Sequence, residues 1–133
     1  MKRALIAMSG AALALMGAGA MAADSASAPR ILAPIPGGSW QVSDVGKEGS
    51  GRKLCVADVS ALAQYEHRGN QCTRVTVSES GKKALIRYTC TKGGFGTSEI
   101  EVTTPRSLTI RTQGIKDGLP FNRTLIARRT GAC

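Results

Sequence analysis

Four cysteines are the residues of this 133-residue chain whose spacing says most about its chemistry. A metal site needs paired thiols two to four residues apart, whereas here 16, 17 and 42 residues separate neighbouring cysteines. The Cys-x-x-Cys spacing of a redox motif does not occur in the chain. The even number and wide spacing therefore predict two structural disulfides, and no metal site, among Cys55, Cys72, Cys90 and Cys133.

Four cysteines allow three pairings, of which we favour Cys72–Cys90 with Cys55–Cys133. If the hairpin turn between the first two is centred on Gly81, position 72 lies opposite position 90, on the same face and within the reach of a disulfide. The second bridge would tie the segment before a predicted helix to the chain end. A slip of one residue in the five-residue turn would separate Cys72 from Cys90, and Cys55–Cys72 is then the alternative.

His67 is the single histidine, and Glu66 beside it invites an acid/base interpretation. Nucleophilic catalysis needs a base held against a nucleophile and a third group that orients the base. The chain has no Gly-x-Ser-x-Gly motif, and its cysteines are expected in disulfides. A histidine in the last turn of a helix is favourable there because it faces the negative end of the helix dipole. We therefore predict no catalytic residues and a protein that is not an enzyme.

The glycine-rich run at 92–96 lacks the Gly-Lys-Ser/Thr ending and the following helix of a phosphate-binding loop. We interpret it as a tight connection between strands with Phe95 packed inward, and we predict no cofactor.

Lysine and arginine number 18 against 9 acidic residues, a formal net charge of +9. Nucleic acid is the usual partner of so basic a chain, but export would separate the two, and few aromatic residues lie among the charges. If the charges serve a partner, an anionic envelope component such as lipid headgroups or polysaccharide suits them. The interpretation that we favour is a solvated charged face that keeps a small protein soluble. The basic residues concerned are Arg52, Lys53, Arg74, Lys82, Lys83, Arg87, Arg123, Arg128 and Arg129.

The elements that would position these residues are mostly strands. Val59, Leu62 and Ala63 recur at helical spacing between Asp58, a favoured N-cap residue, and Gly69, which predicts a helix over 58–68. Residues 47–53 have the composition of a loop. Alternating apolar residues predict strands at 39–45, 72–78, 84–90, 98–103, 107–112 and 121–128.

Two turns fix the register of the last strands. Asp-Gly at 117–118 is a favoured two-residue turn and places Ile110 opposite Leu125. Centring the preceding hairpin on Pro105 places Ile100 opposite Ile110, so both turns give the same inner face. The predicted fold class is α+β, mostly β: an antiparallel meander of about five strands, forming an open curled sheet or a small barrel, with one short helix and two disulfides.

The N-terminus has the three parts of a secretory signal peptide. Lys2 and Arg3 precede an apolar run over 4–18, and a small-x-small site ends at Ala22, which predicts cleavage between Ala22 and Ala23. Glycines and a serine interrupt the run, so it is not expected to span a membrane. Without Lys2 and Arg3 the net charge falls from +9 to +7. We predict a signal peptide at 1–22, a flexible proline- and serine-rich leader at 23–38 in which residues 31–35 can rest on the domain, and a single domain at 39–133.

Spaced motifs in the mature chain resemble the uncharacterised exported bacterial family called domain of unknown function 3617. The resemblance implies a disulfide-bearing, mostly β domain in the periplasm of Gram-negative bacteria, with no established activity. A proteobacterial branch of the family is similar in its later motifs. The segments that carry the resemblance are 38–42, Cys55 before the helix, 70–72, 88–90, 94–96, 104–106, 113–115, 120–121 and 127–133.

Together these observations predict a non-catalytic periplasmic envelope domain that acts as a binding or structural module. A basic adaptor for anionic envelope polymers or lipid headgroups is the alternative, and a small periplasmic enzyme is the third.

The cleavage site generates the first test. Protein recovered from the periplasm of an expressing bacterium is expected to begin at Ala23, as measured by N-terminal sequencing. Retention of Met1 would contradict the predicted export.

Overall fold

A computed structural model describes residues 28–133, so the predicted signal peptide and the first part of the leader lie outside the described residues. The described chain forms one antiparallel sheet of seven strands in the order β2-β1-β7-β6-β5-β4-β3. A 3₁₀ helix spans Val59–His67, and short 3₁₀ turns span Arg30–Leu32 and Glu48–Ser50. The strands are β1 (Gly38–Asp44), β2 (Arg52–Val56), β3 (Cys72–Ser80), β4 (Lys83–Cys90), β5 (Phe95–Thr104), β6 (Ser107–Lys116) and β7 (Leu119–Gly131).

The strand count of about five was wrong, because the sheet has seven strands. The clearest miss is β2, part of which falls in the predicted loop over 47–53. Its five residues contain too little alternation to signal a strand, and it forms only because β1 offers it a partner, with Trp40 opposite Leu54. The sheet is open, the first of the two expected arrangements, with β2 and β3 as its edges.

The predicted register of the last hairpins is confirmed. Ile100 lies opposite Ile110, and Ile110 lies opposite Leu125. Asp117 and Gly118 both have positive φ, 51° and 75°, as a two-residue turn of this kind requires. One face of β5, β6 and β7 is therefore apolar through its middle.

The β3–β4 hairpin has the expected pairing of Cys72 with Cys90, but its turn is shorter than predicted and β3 contains a bulge. Ser80 pairs with Lys83, so the turn contains two residues rather than five. A register shift between Thr76 and Ser78 then inserts one extra residue in β3 and brings Cys72 opposite Cys90. The bulge compensates for the shorter turn.

The helix packs across the inner face of the sheet and completes the core. Asp58 caps it by accepting a hydrogen bond from the Ser60 backbone N–H at 2.9 Å. Val59, Leu62 and Ala63 are buried, as their spacing predicted. They contact a cluster of buried side chains from the sheet that includes Trp40, Val42, Ile86, Ile100, Leu108, Ile110, Leu125 and Ala127.

The described part of the leader packs on the domain over residues 31–35, as the sequence suggested for this stretch. In its described part, Leu32 and Ile35 are buried in the core, 4% and 7% exposed. Glu79 accepts a hydrogen bond from the Ile31 backbone N–H at 3.1 Å. The segment has no periodic pattern because it follows the surface of the domain instead of forming a long element, yet its two apolar side chains order it.

The two disulfides are Cys72–Cys90 and Cys55–Cys133, the pairs that the sequence favoured. The first links neighbouring strands β3 and β4. The second links edge strand β2 to the C-terminus, where the α-carbons are 5.7 Å apart.

The two bridges should differ in their contribution to stability. They span 18 and 78 residues, so the chain-entropy relation assigns about 3 kcal/mol to Cys72–Cys90 and about 4.5 kcal/mol to Cys55–Cys133. Replacing each pair with alanine should therefore lower the free energy of unfolding more for the long loop, as measured by denaturant titration. Non-reducing peptide mapping of the unaltered protein provides the control, and a Cys55–Cys72 peptide would contradict the pairing.

Candidate functional site

Polar and glycine residues gather at one end of the sheet, which we call the glycine end. It consists of the 91–94 loop between β4 and β5, the 117–118 turn between β6 and β7, and the cross-strand partners Gly96 and Gly114. The helix finishes at the same end with His67, whose aromatic neighbours are Tyr88 and Phe121.

Two glycines on the inner face lie beside aromatic rings. A β-carbon on Gly96 would lie 2.6 Å from the hydroxyl oxygen of Tyr88, and one on Gly114 would lie 3.0 Å from Cζ of Phe121. Both distances are shorter than van der Waals contact. A β-carbon on Gly114 would first meet the backbone of β5, at the carbonyl oxygen of Phe95 and the α-carbon of Gly96, so this glycine permits the close approach of β5 and β6. The ring of Tyr88 thus fills the space that Gly96 leaves, and the ring of Phe121 lies beside Gly114.

A chain of buried hydrogen bonds runs from the helix end into the sheet. His67 Nδ1 lies 2.9 Å from the Tyr88 hydroxyl, which is hydrogen-bonded to Thr112. Thr112 Oγ1 lies 2.8 Å from Ser98 Oγ, and Ser98 donates to the Ala63 carbonyl at 2.5 Å. All four side chains are buried. A buried hydroxyl is stable only when it is hydrogen-bonded, so the chain anchors helix to sheet.

Counting protons along this chain assigns the tautomer of His67. A carbonyl oxygen only accepts, so the single hydroxyl proton of Ser98 goes to Ala63. Thr112 then donates to Ser98, and Tyr88 donates to Thr112. His67 must donate its Nδ1 proton to Tyr88, which leaves a lone pair on Nε2.

Tyr88 is held in its protonated form. Burial raises the pKa of Tyr88 to about 12, with a further increase from the negative charge of Glu66. The hydroxyl therefore acts as a hydrogen-bond donor at neutral pH, not as a nucleophile or base.

His67 Nε2 is one of two buried side-chain nitrogen or oxygen atoms without a hydrogen-bond partner in the described residues, the other being Trp40 Nε1. The imidazole is only 4% exposed. Gly94 lies against Nε2, where a β-carbon would overlap the ring. His67 ends the helix as predicted, but it is a packed residue rather than an exposed charge at the helix dipole.

An ionic cluster lies on the inner face between the helix and β7. Arg123 donates to both carboxylate oxygens of Asp44, at 3.0 and 2.8 Å, and to Glu66 at 2.5 Å. These hydrogen bonds hold the pKa of the Asp44 carboxyl below its ordinary value, against the opposing effect of partial burial. The guanidinium also lies 5.8 Å from the Tyr65 ring centroid. Glu66 is thus engaged by Arg123, and sequence adjacency to His67 does not make the two an acid/base pair.

A cleft of about 370 Å³ opens at the glycine end. Two lysines and one aspartate supply its charged groups: Lys92, Lys116 and Asp117. Neither lysine forms an ion pair within residues 28–133. The remaining lining residues are His67, Asn70, Gly93, Gly94 and Gly118.

The basic residues singled out from the sequence do not form one patch. Arg74 pairs with Asp58 at 3.9 Å, and Lys83 lies 3.8 Å from carboxylates of both Glu99 and Glu101. Arg129 donates to the Gly37 carbonyl, and Arg123 belongs to the cluster above. Of these nine basic residues, the ones that are exposed and form no ion pair with the described residues are Arg52, Lys53, Lys82, Arg87 and Arg128.

Phe95, expected to pack inward, points outward and is 52% exposed. Its neighbour Gly96 takes the inward position, since successive residues of a strand face opposite sides of the sheet. Thr112 and Ser98 were also missed, although each occupies an inward position within an alternating strand. Among residues 28–133, no group of three histidine, cysteine, aspartate or glutamate side chains is arranged to hold a metal ion.

No family model, curated protein or solved structure matches this chain. In the part of the chain that the structure describes, no helix has the length and apolar character needed to cross a membrane.

The contact between Gly94 and His67 can be tested with a matched pair of variants. Gly93 and Gly94 have nearly equal φ, +87° and +88°, but a β-carbon at Gly93 would meet nothing within 4 Å. Gly93→Ala should cost about 1 kcal/mol of backbone strain. Gly94→Ala should cost about 1–3 kcal/mol more, because it also displaces the imidazole.

Denaturant titration measures the difference. Adding His67→Ala to Gly94→Ala should remove most of the extra cost, a coupling that a double-mutant cycle detects. Equal effects of Gly93→Ala and Gly94→Ala would contradict the close packing.

Proposed function

We propose that this chain is an exported, non-catalytic binding domain of the bacterial cell envelope, and that it holds a small anionic group in the cleft at the glycine end. The observation that carries the proposal is the pair of lysines, Lys92 and Lys116, which face the cleft without an ion pair in the described residues. One aspartate, Asp117, opposes them, so the lining carries a net positive charge.

The proposed compartment follows from chemistry and from the sequence pattern. Disulfides persist in oxidising compartments, and this small domain has two. The signal-like N-terminus and the resemblance to an exported family both favour the periplasm of a Gram-negative bacterium.

The state of His67 supports binding over catalysis. One ring nitrogen is engaged by Tyr88, and Gly94 covers the other. A general base must reach the proton that it removes, whereas this imidazole is enclosed on both sides. We therefore interpret the buried hydrogen bonds that begin at His67 as a support that holds the helix end in place as one wall of the cleft.

A basic adaptor for anionic polymers is the second candidate. Lys53 and Arg128 both flank Gln41, Lys53 on β2 and Arg128 on β7, so the three residues share the outer face. Exposed cations in such a row attract a polyanion by charges that salt screens over about 8–10 Å. This candidate places binding on the outer face rather than at the glycine end.

One titration separates the two candidates. We expect inorganic phosphate to shift the backbone amide resonances of Gly93 and Gly94 in the NMR spectrum of the mature, disulfide-bonded protein. Lys92→Gln combined with Lys116→Gln should weaken the interaction about tenfold, because two charge-assisted contacts are lost.

The matched control removes the same charge elsewhere. Lys53→Gln combined with Arg128→Gln should leave the phosphate titration unchanged. If this control weakens phosphate binding and the cleft variant does not, the cleft is the wrong site. Native mass spectrometry of protein purified from its own periplasm would identify any anion that is retained.

A further inference from the structure

The glycine end also carries the most exposed of the large apolar side chains in the described residues. Leu119 is 70% exposed and Phe95 is 52% exposed. Phe95 pairs with Ile115, and Ile115 pairs with Pro120, which places these three residues in one row across β5, β6 and β7. Leu119 pairs with Lys116 and therefore projects from the opposite face of the sheet, beside the 117–118 turn. We call Phe95, Ile115, Leu119 and Pro120, which occupy both faces at this end of the sheet, the apolar tip.

The exposure of Phe95 is built into the sheet. The inner side at this level is already occupied, because Phe121 lies against Gly114. Turning Phe95 inward would require a one-residue slip, which would also turn the buried residues of β5 outward. Single exposed apolar residues are common, whereas several at one end of a sheet, with Phe95 on one face and Leu119 on the other, mark an end that enters an apolar environment.

Two lysines flank the apolar tip. Lys116 is the cross-strand partner of Leu119, and Lys92 lies three residues before Phe95. Both are exposed. Apolar side chains bordered by lysines are typical of protein surfaces that insert shallowly into a bilayer, with the apolar groups below the headgroups and the ammonium groups at the phosphates.

We propose that the glycine end docks on anionic phospholipid bilayers. Phe95 and Leu119 enter the boundary between headgroups and acyl chains, and Lys92 and Lys116 contact lipid phosphates. The docking rests on the proposed function in one respect, because a lipid phosphate is taken as the anion that enters the cleft.

Charge favours a bilayer over a second copy of this chain as the occupant. The chain carries a formal net charge of +9. Two copies that met at their lysine-flanked tips would repel each other, whereas an anionic membrane surface attracts both lysines.

The test is cosedimentation of the mature, disulfide-bonded protein with vesicles. One set contains phosphatidylethanolamine and phosphatidylglycerol, and the other contains phosphatidylcholine alone. We expect binding to the first set at low and physiological salt, weaker at the higher salt, and little binding to the second.

Variants locate the surface. Phe95→Ser and Leu119→Ser should each reduce partitioning about tenfold, since each removes apolar area from the bilayer boundary. Lys92→Gln combined with Lys116→Gln should reduce it about twentyfold. The control for the apolar variants is Val45→Ser, because Val45 is 53% exposed but lies beside Thr124, several residues along β7 from the apolar tip. It should change partitioning by less than about twofold, since it removes no area from the boundary.

Each outcome has a defined meaning. Equal loss of binding in Val45→Ser and Leu119→Ser, or no binding to anionic vesicles, would overturn the docking surface. If phosphate still shifts the backbone amide resonances of Gly93 and Gly94 in that case, the proposed anion binding is supported and only the membrane docking is wrong. If vesicle binding depends on Leu119 but phosphate does not shift the amide resonances of Gly93 and Gly94, the docking is supported and the proposal that the cleft binds an anion is wrong.

A second copy of the chain is the rival occupant. Sedimentation equilibrium is expected to show a monomer in the absence of lipid. A dimer that Leu119→Ser dissociates would assign the apolar tip to self-association and overturn the docking proposal.

Discussion

The pairing register of the antiparallel strands is the constraint on which the rest of this structure depends. Side chains alternate across a sheet, so a shift of one residue in any hairpin would move its apolar residues from the core to the solvent. Three two-residue turns, with one register shift in β3 and one in β5, set the register here. The same alignment brings Cys72 opposite Cys90, so the disulfide and the apolar face reinforce one arrangement.

Absence of side chains is as important as their presence at the glycine end. Gly94 and Gly96 leave room for the imidazole of His67 and the ring of Tyr88, and Gly114 lets the backbones of β5 and β6 approach closely beside Phe121. The rings in turn position a chain of hydroxyl groups that joins helix to sheet. Every group in this series of hydrogen bonds is buried, so breaking any one of them would leave an unsatisfied polar group in the core. The end of the helix is therefore held firmly. A rigid wall behind the cleft is what a binding site requires.

The difference between the two ends of the domain follows from its topology. Antiparallel strands return to the same two ends, so the 91–94 loop, the 117–118 turn and the helix end meet although they are distant in sequence. Cations, glycines and exposed apolar side chains thereby share one end of the molecule. The anion-binding cleft and the membrane-docking surface that we propose therefore lie at the same end of the domain.

The sequence by itself determined the local structure: the helix capped by Asp58, the turn at 117–118, and the registers of the last two hairpins. These depend on neighbouring residues, whose periodicity is visible along the chain. Only the tertiary structure decided that β2 joins the sheet, that a bulge sets the register of β3, and that Phe95 faces solvent. It alone placed His67 against Gly94 and Tyr88. Contacts between distant segments depend on how the whole sheet packs against the helix, which no local pattern records.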